Sequence, residues 1–507
     1  MTGISLMYLI GTVFSYQFIR LVEKKIFDRN LSFLDRMFFI NCLLIGVSGY
    51  YYYYWLITPS YNWLSLFSIL AIVSSYIAYD LHESNTKNPL SLKMFIYSVL
   101  IAFFANMLLF SIATAIIPTS LLMLILLISS KKQTRIKLFF AVSVLVNFIL
   151  FLFLHILFLF KDISYVSTAI KNSMETEKIL DAGHSFSSLA LINLNDFKSL
   201  LFSNNSLIAA TIAVIIVCIF CFCRSRYIEL LYKLFPLFIS LLCIFWFDKH
   251  SYFGYDLYLV LFIMLLFMFM YNRYSKQSNS SLVFIIAFCS LALSTRFGSN
   301  AGVFRTSVTS IVFCFSALLI ISFNIYKKNE FLRNCISLIM LIIIFKYCIY
   351  SYSHPYRLST SLGNQKCKVS IYNNTSIIKV NSEAKKWIDD LNYYSQKNGW
   401  NSGNSLIDVT GATPGASVIL KSRPVGQPWF AGSYPGSDEY AYTVLKKIPR
   451  KILEESWILT APDGKIKISE SIFKRLNINF PDNYEKVCEL NNSYRDEMQI
   501  LWKPKSF

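Results

Sequence analysis

No HExxH, GxSxG or zinc-ligand spacing occurs in the chain, so neither a metalloprotease helix nor the nucleophile elbow of a serine hydrolase is present. Neither GxGxxG nor the GxxxxGK(S/T) phosphate loop appears, which leaves nucleotide binding weakly supported. The apolar segments carry very little charge. Lys346 in the last segment and His155 in the sixth stand out, and one lysine there does not make an ion pathway. Met1 to Phe18 lacks a basic start and a small-residue cleavage site, and so reads as a retained helix. Internal repeats and low-complexity tracts are missing as well. Cys218, Cys221 and Cys223 have no nearby His or carboxylate and lie in an apolar run, so they read as packed thiols rather than a metal cluster.

What the chain does have is apolar surface. It is 55% hydrophobic, with 44 Phe and 32 Tyr, more than a soluble fold can bury. The apolar segments fall at 4–20, 37–57, 64–80, 94–117, 119–130, 138–160, 207–223, 230–247, 257–271, 281–295, 303–326 and 335–352. Several are short for a span, and 94–117 meets 119–130 at Pro118, so eleven or twelve spans are expected. The formal net charge is +19. Its distribution points to membrane orientation and away from nucleic acid. Basic clusters follow the odd-numbered segments: Lys24, Lys25 and Arg29, then Lys87 and Lys93, Lys131 and Lys132, Arg224 and Arg226, Arg273 and Lys276, and Lys327, Lys328 and Arg333. The positive-inside rule places these connections in the cytoplasm, and residues 353–507 outside it. The side of the amino terminus depends on the span count, and that of the carboxyl-terminal domain does not.

The outward connections are 58–63, a long loop at 161–206, 248–256, 294–302 and the tail. The middle of the long loop, Val166 to Leu180, reads as an amphipathic helix lying on the bilayer surface. The tail alternates helical and extended patterns. Ser382–Ser395 is a helix with Ala384, Trp387, Ile388 and Leu391 on one face. Ser405–Thr410 and Ser456–Thr460 are strands, and Pro462-Asp463-Gly464 is a turn. Thr413-Pro414 reads as a helix start, Ser437 as the cap of a helix through Lys447, and Ser469–Leu476 as helical. The expectation is a helical polytopic membrane domain over 1–352 and a small α/β extracytoplasmic domain over 353–507. Cys367 and Cys488, near the two ends of that domain, would form a disulfide in an oxidising compartment.

Four outward clusters carry polar chemistry. Asp248, His250 and Asp256 flank one connection, where a carboxylate beside aromatics can take a proton from a sugar hydroxyl, or simply pair with Lys249. In the stretch 294–302, Arg296 could hold a lipid phosphate and Asn300 a sugar, with Gly298 and Gly302 allowing close approach; a tight turn with a snorkelling arginine is the plain alternative. Asp181, His184 and Asp196 in the long loop read by default as surface charge. In the tail, Asp408–Gly415 runs strand, glycine-rich turn, helix. Beyond it, Trp429 and Tyr434 could stack on sugar rings while Arg423 and Asp438 hold hydroxyls; ordinary turn chemistry explains the same residues.

The layout of many spans, short inner connections, the long outer loop 161–206 and an outer α/β domain resembles the GT-C class of membrane glycosyltransferases. It is most similar to the serotype-converting O-antigen glucosyltransferases of enteric bacteria. That resemblance implies a polyprenyl-phosphate sugar donor, a lipid-linked glycan acceptor, a bacterial inner-membrane location, a periplasmic carboxyl-terminal domain and no organic cofactor. The need for a divalent cation stays open. The class places an acidic residue in its first outer loop. Here Asp28 and Asp35 lie in a first connection whose basic residues mark it as cytoplasmic, so Asp248 is the expected base. A lipid-linked sugar translocase or polysaccharide export component is the alternative; it would need a charged intramembrane cavity, which these spans do not suggest.

Overall fold

A computed structural model describes residues 2–53, 61–82, 91–160, 163–180, 186–202, 204–222, 253–275, 281–295, 297, 302–306, 310–326, 329–355, 358–371, 376–411, 415–493 and 495–505. The chain divides into two compact units. One comprises Met1–Ile163 with Phe186–Ser351; the other comprises Ser164–Ser185 with Tyr352–Phe507.

The first unit is helical. It holds α1 (Thr2–Leu21), α2 (Phe33–Tyr53), α3 (Tyr61–Leu81), α4 (Leu92–Ser111), α5 (Ala113–Ser129), α6 (Thr134–His155), α8 (Phe186–Phe202), α9 (Asn204–Phe222), α10 (Phe253–Ser275), α11 (Leu282–Ser294), α12 (Val303–Thr306), α13 (Ile311–Ile325) and most of α14 (Glu330–Ser353). Among the described residues, four helical stretches are long and apolar enough to cross a membrane: Ser5–Phe27, Tyr61–Leu81, Leu92–Ser111 and Thr134–Phe158. In lipid a backbone can satisfy its polar groups only within helices or a closed barrel, so apolar runs of this length become helices. The protein is a helical membrane protein. Helices α3 and α13 are buried almost all round and form the centre. The break expected at Pro118 lies instead at Ile112, whose extended backbone separates α4 from α5. Pro118 sits inside α5.

Connections that alternate in charge also meet in space. At one end, Lys25 pairs with Asp80, Ser130 Oγ donates to Asp80 Oδ1 at 2.6 Å, and Lys132 Nζ donates to the His82 carbonyl at 2.6 Å. Those residues follow the first, third and fifth apolar segments. Also within that basic group, Arg333 is buried against Asp35 at 2.7 Å. Its place in a basic connection predicts a loop charge instead. At the other end of α4, about 30 Å away at 1.5 Å per residue, Thr114 Oγ1 donates to the Phe297 carbonyl at 2.6 Å.

The second unit is a three-layer α/β domain. Its five-stranded sheet runs β4 (Arg423–Pro424), β3 (Ser405–Asp408), β5 (Trp457–Thr460), β7 (Glu497–Pro504), β6 (Tyr484–Asn492). Strands β4, β3 and β5 are parallel, and β5, β7 and β6 are antiparallel. Alternation along the strands sends Leu406, Trp457, Leu459 and Leu501 to one face, against α15 (Ser382–Lys397) and α16 (Gly415–Ile419). Ile407, Val409 and Ile458 face the other way, toward α17 (Ser437–Leu445), α18 (Arg450–Glu454) and α19 (Ser471–Arg475). The helix expected from Ser382 is present as α15, with Asn381 capping it through Ala384 N–H at 2.7 Å. A separate ribbon pairs β1 (Cys367–Ile371) with β2 (Ser376–Val380).

Three expectations need correction here. Cys367 and Cys488 are free thiols. Cys367 sits in the small ribbon, whereas Cys488 lies in β6 and packs into the apolar cluster of the main sheet, where burial pushes its thiol up to about 11. Ser437 does not cap α17: Gly436 holds that position, and the Ser437 hydroxyl accepts Tyr434 N–H and donates to the Ala431 carbonyl. The loop helix α7 (Ile163–Leu180) forms, but from Ser164 onward it belongs to the α/β unit.

Candidate functional site

In the helical unit the long loop 161–206 and the stretch 294–302 lead to segments that meet at a carboxylate. Helix α8 presents Asn193, Asp196 and Phe197 at helical spacing, so the three share a face. The Asn193 side-chain oxygen accepts Val303 N–H at 3.2 Å, and Asp196 Oδ2 accepts Phe304 N–H at 2.6 Å. These are leading amides of α12, which no helical carbonyl can satisfy. The Phe304 ring lies 5.7 Å from that of Phe197 and 5.4 Å from that of Tyr258. Gly302, with φ of +83°, carries the turn; a Cβ there would lie 2.5 Å from the Asp196 carboxyl carbon. Asp196 is thus buried and engaged, contrary to its reading as a surface charge. No local pattern marks it, because its partners lie more than a hundred positions along the chain.

The α/β unit has a second polar focus at the carboxyl ends of its parallel strands, where ligands of such sheets ordinarily bind. Three loops are stitched together there. Ile468 N–H donates to the Val409 carbonyl at 2.9 Å, Gly432 N–H to Gly411 at 3.4 Å, and Ser469 N–H to Asp438 Oδ1 at 2.8 Å. Gly411 and Gly432 both press on the Ile466 carbonyl, which a Cβ would approach to 1.7 and 1.6 Å. Asp408, the last residue of β3, is 1% exposed. Its Oδ1 accepts the Thr410 amide at 3.0 Å and the Thr410 hydroxyl at 2.6 Å. Its Oδ2 is buried with no hydrogen-bond partner, a situation that ordinarily costs about 1–3 kcal/mol. Burial pushes the Asp408 carboxyl up to about 6, against the hydrogen bonds from Thr410, with Glu497 on β7 adding repulsion. Glu497 and Gln499 are themselves buried; the Gln499 amide donates to Glu497 Oε1 at 2.9 Å and the Trp387 indole to Gln499 Oε1 at 3.2 Å.

The tail residues expected to act together are divided by the sheet. Arg423 pairs with Ser405 at the amino end of β3 and is exposed, at the opposite edge from Asp408. Trp429, Tyr434 and Asp438 lie on the chain that leads to the carboxyl edge: Gly432 contacts Gly411, and Asp438 binds the 464–469 loop. Asp248, His250, Arg296, Asn300, Asp181, His184 and the Thr413-Pro414 helix start lie outside the described residues. Asp256 is in the first turn of α10.

Helix α7 ends on this same rim. Gly436 N–H donates to the Leu180 carbonyl at 3.2 Å, and a Cβ at Gly436 would lie 1.6 Å from the Ile179 carbonyl oxygen. The backbone of Gly436 suits any residue (φ −95°), so only this contact opposes a side chain. Gly436→Ala is expected to detach the end of α7, so that its backbone unwinds around the already exposed Lys178 and trypsin cuts there faster in the purified protein. Unchanged cleavage at Lys178 would count against the contact.

No protein-family model, curated protein or solved structure matches this chain.

Proposed function

We propose that the chain is an integral membrane glycosyltransferase of eleven or twelve spans. It moves a sugar, glucose on the resemblance, from a polyprenyl-phosphate donor to a lipid-linked glycan of the O-antigen type. In this reading the chemistry takes place on the periplasmic face of a bacterial inner membrane. The observation that supports it best is the contact of Asp196 with the Gly302 turn, which joins two connections that the charge pattern assigns to the outer side. The turn leads directly from the stretch that carries Arg296 and Asn300.

The chemistry is a single displacement. An acceptor hydroxyl oxygen attacks the anomeric carbon, the bond from that carbon to the phosphate oxygen breaks, and the hydroxyl proton passes to a carboxylate. The leaving polyprenyl phosphate needs no general acid, because the phosphate already carries charge. Asp248 is the base in this reading, Arg296 holds the phosphate, and His250, Asp256 and Asn300 line the approach. Asp196 acts as a positioning residue, since its carboxylate is committed to the turn.

The test is direct. Purified protein in lipid nanodiscs, given a radiolabelled polyprenyl-phosphate sugar and a lipid-linked glycan, is expected to label the glycan. Movement of the intact donor across the bilayer without labelling would favour the translocase alternative. No transfer with any donor of this class, from protein shown to be folded, would reject the proposal.

A further inference from the structure

No Asp or Glu occurs between Glu330 and Glu383, a stretch that runs through the last apolar segment into the β1–β2 ribbon. The register of the ribbon sets Lys368 directly opposite Lys379, and Ser370 opposite Ile377. Side chains alternate along a strand, so these four share one face, and the buried Val369 lies on the other with Ile378. Lys368 and Lys379 are both exposed, as is Lys366 just before β1. Like charges set opposite each other on two strands repel and weaken the pairing. No carboxylate in the ribbon relieves them. Ile377, 63% exposed, stands on the same cationic face.

The base of the ribbon is tied to the end of α14. Gly363, in the turn Leu362–Asn364, lies against Tyr352 in the last turn of that helix; a Cβ there would be 2.5 Å from the Tyr352 hydroxyl. Asn381, the residue after β2, donates from its side-chain amide to Ser359 Oγ at 2.8 Å. The cations therefore stand close to where the apolar segment 335–352 ends.

We propose that this face of the ribbon docks on the anionic phosphate headgroups of the bilayer. Phosphates seated between the facing lysines offset their repulsion. A free anion would use the lysines and leave Ile377 in water. A headgroup layer takes both, because the acyl chains begin just beneath the phosphates. This docking does not depend on the glycosyltransferase reading.

Acetylation of the full-length protein by a neutral succinimidyl ester, read lysine by lysine by mass spectrometry, tests the docking. A soluble lysine peptide added to every sample calibrates the reagent. In nanodiscs of phosphatidylcholine mixed with phosphatidylglycerol, Lys366, Lys368 and Lys379 are expected to react about fivefold more slowly than in phosphatidylcholine alone, the factor that one lysine is worth at an anionic surface. The double variant Lys368→Gln, Lys379→Gln removes the opposed charges, so its melting temperature in detergent should equal or exceed that of the wild type. In that variant the slowing at Lys366 is expected to disappear. Equal rates in the two kinds of nanodisc would overturn the proposal. Undiminished slowing at Lys366 in the double variant would do the same, since a general surface field needs no facing pair. If inorganic phosphate slowed the three lysines as much in phosphatidylcholine alone, the face would be a free-anion site, and the bilayer would be the wrong partner.

Discussion

Arg333→Met is expected to destabilise the helical unit by about 3–5 kcal/mol, and Asp35→Leu by a similar amount. The two side chains are only 4% and 1% exposed. They meet in a bidentate contact, Nη2 to Oδ2 at 2.7 Å and Nε to Oδ1 at 3.2 Å. The remaining guanidinium nitrogen donates to the Tyr326 carbonyl at 2.7 Å, and the group lies over the rings of Phe27 and Phe323 at 5.3 and 5.1 Å. Removing either partner strands the other charge where water cannot reach it. The combined Asp35→Leu, Arg333→Met protein is therefore expected to recover most of the loss, because an apolar pair of similar volume leaves no charge behind. Thermal unfolding in detergent gives the answer. Single variants that melt with the wild type would show that the pair contributes nothing.

Asp248→Asn is expected to slow sugar transfer by about two to four orders of magnitude, the usual worth of a general base. Donor binding should survive, since the amide keeps the size of the side chain and the phosphate is assigned to Arg296. The comparison that matters is Asp196→Asn. An asparagine there still offers an oxygen to Phe304 N–H, so the turn persists and the rate should fall far less. If Asp196→Asn abolished transfer while Asp248→Asn left it intact, the base would be the carboxylate on α8. The assignment to Asp248 would then be wrong.

Much of the architecture was legible without coordinates. Long apolar runs become helices in lipid because no other open structure satisfies the backbone there. The face of α15 could be read from Ala384, Trp387, Ile388 and Leu391, and β3 and β5 from short apolar stretches ending in turn residues. Local signals also misled. Pro118 marks a helix break by its chemistry, yet the chain turns at Ile112. The β6–β7 hairpin carries no clean alternation in sequence, because its pairing is interrupted by a register shift between Lys486 and Cys488.

The candidate sites belong to the other category. Asp35 and Arg333 are 298 positions apart, and Asp196 reaches Phe304 across 108. Asp408 and Arg423, close in sequence, end on opposite edges of one sheet because β3 and β4 run parallel. Helix α7 has the amphipathic pattern of a bilayer-surface helix, and its partner is Gly436. Periodicity and composition report what a segment does with its own backbone and its nearest neighbours. Whether a charge is a loop charge or a buried clamp depends on which distant segment packs over it, and that is settled only when the whole chain closes on itself.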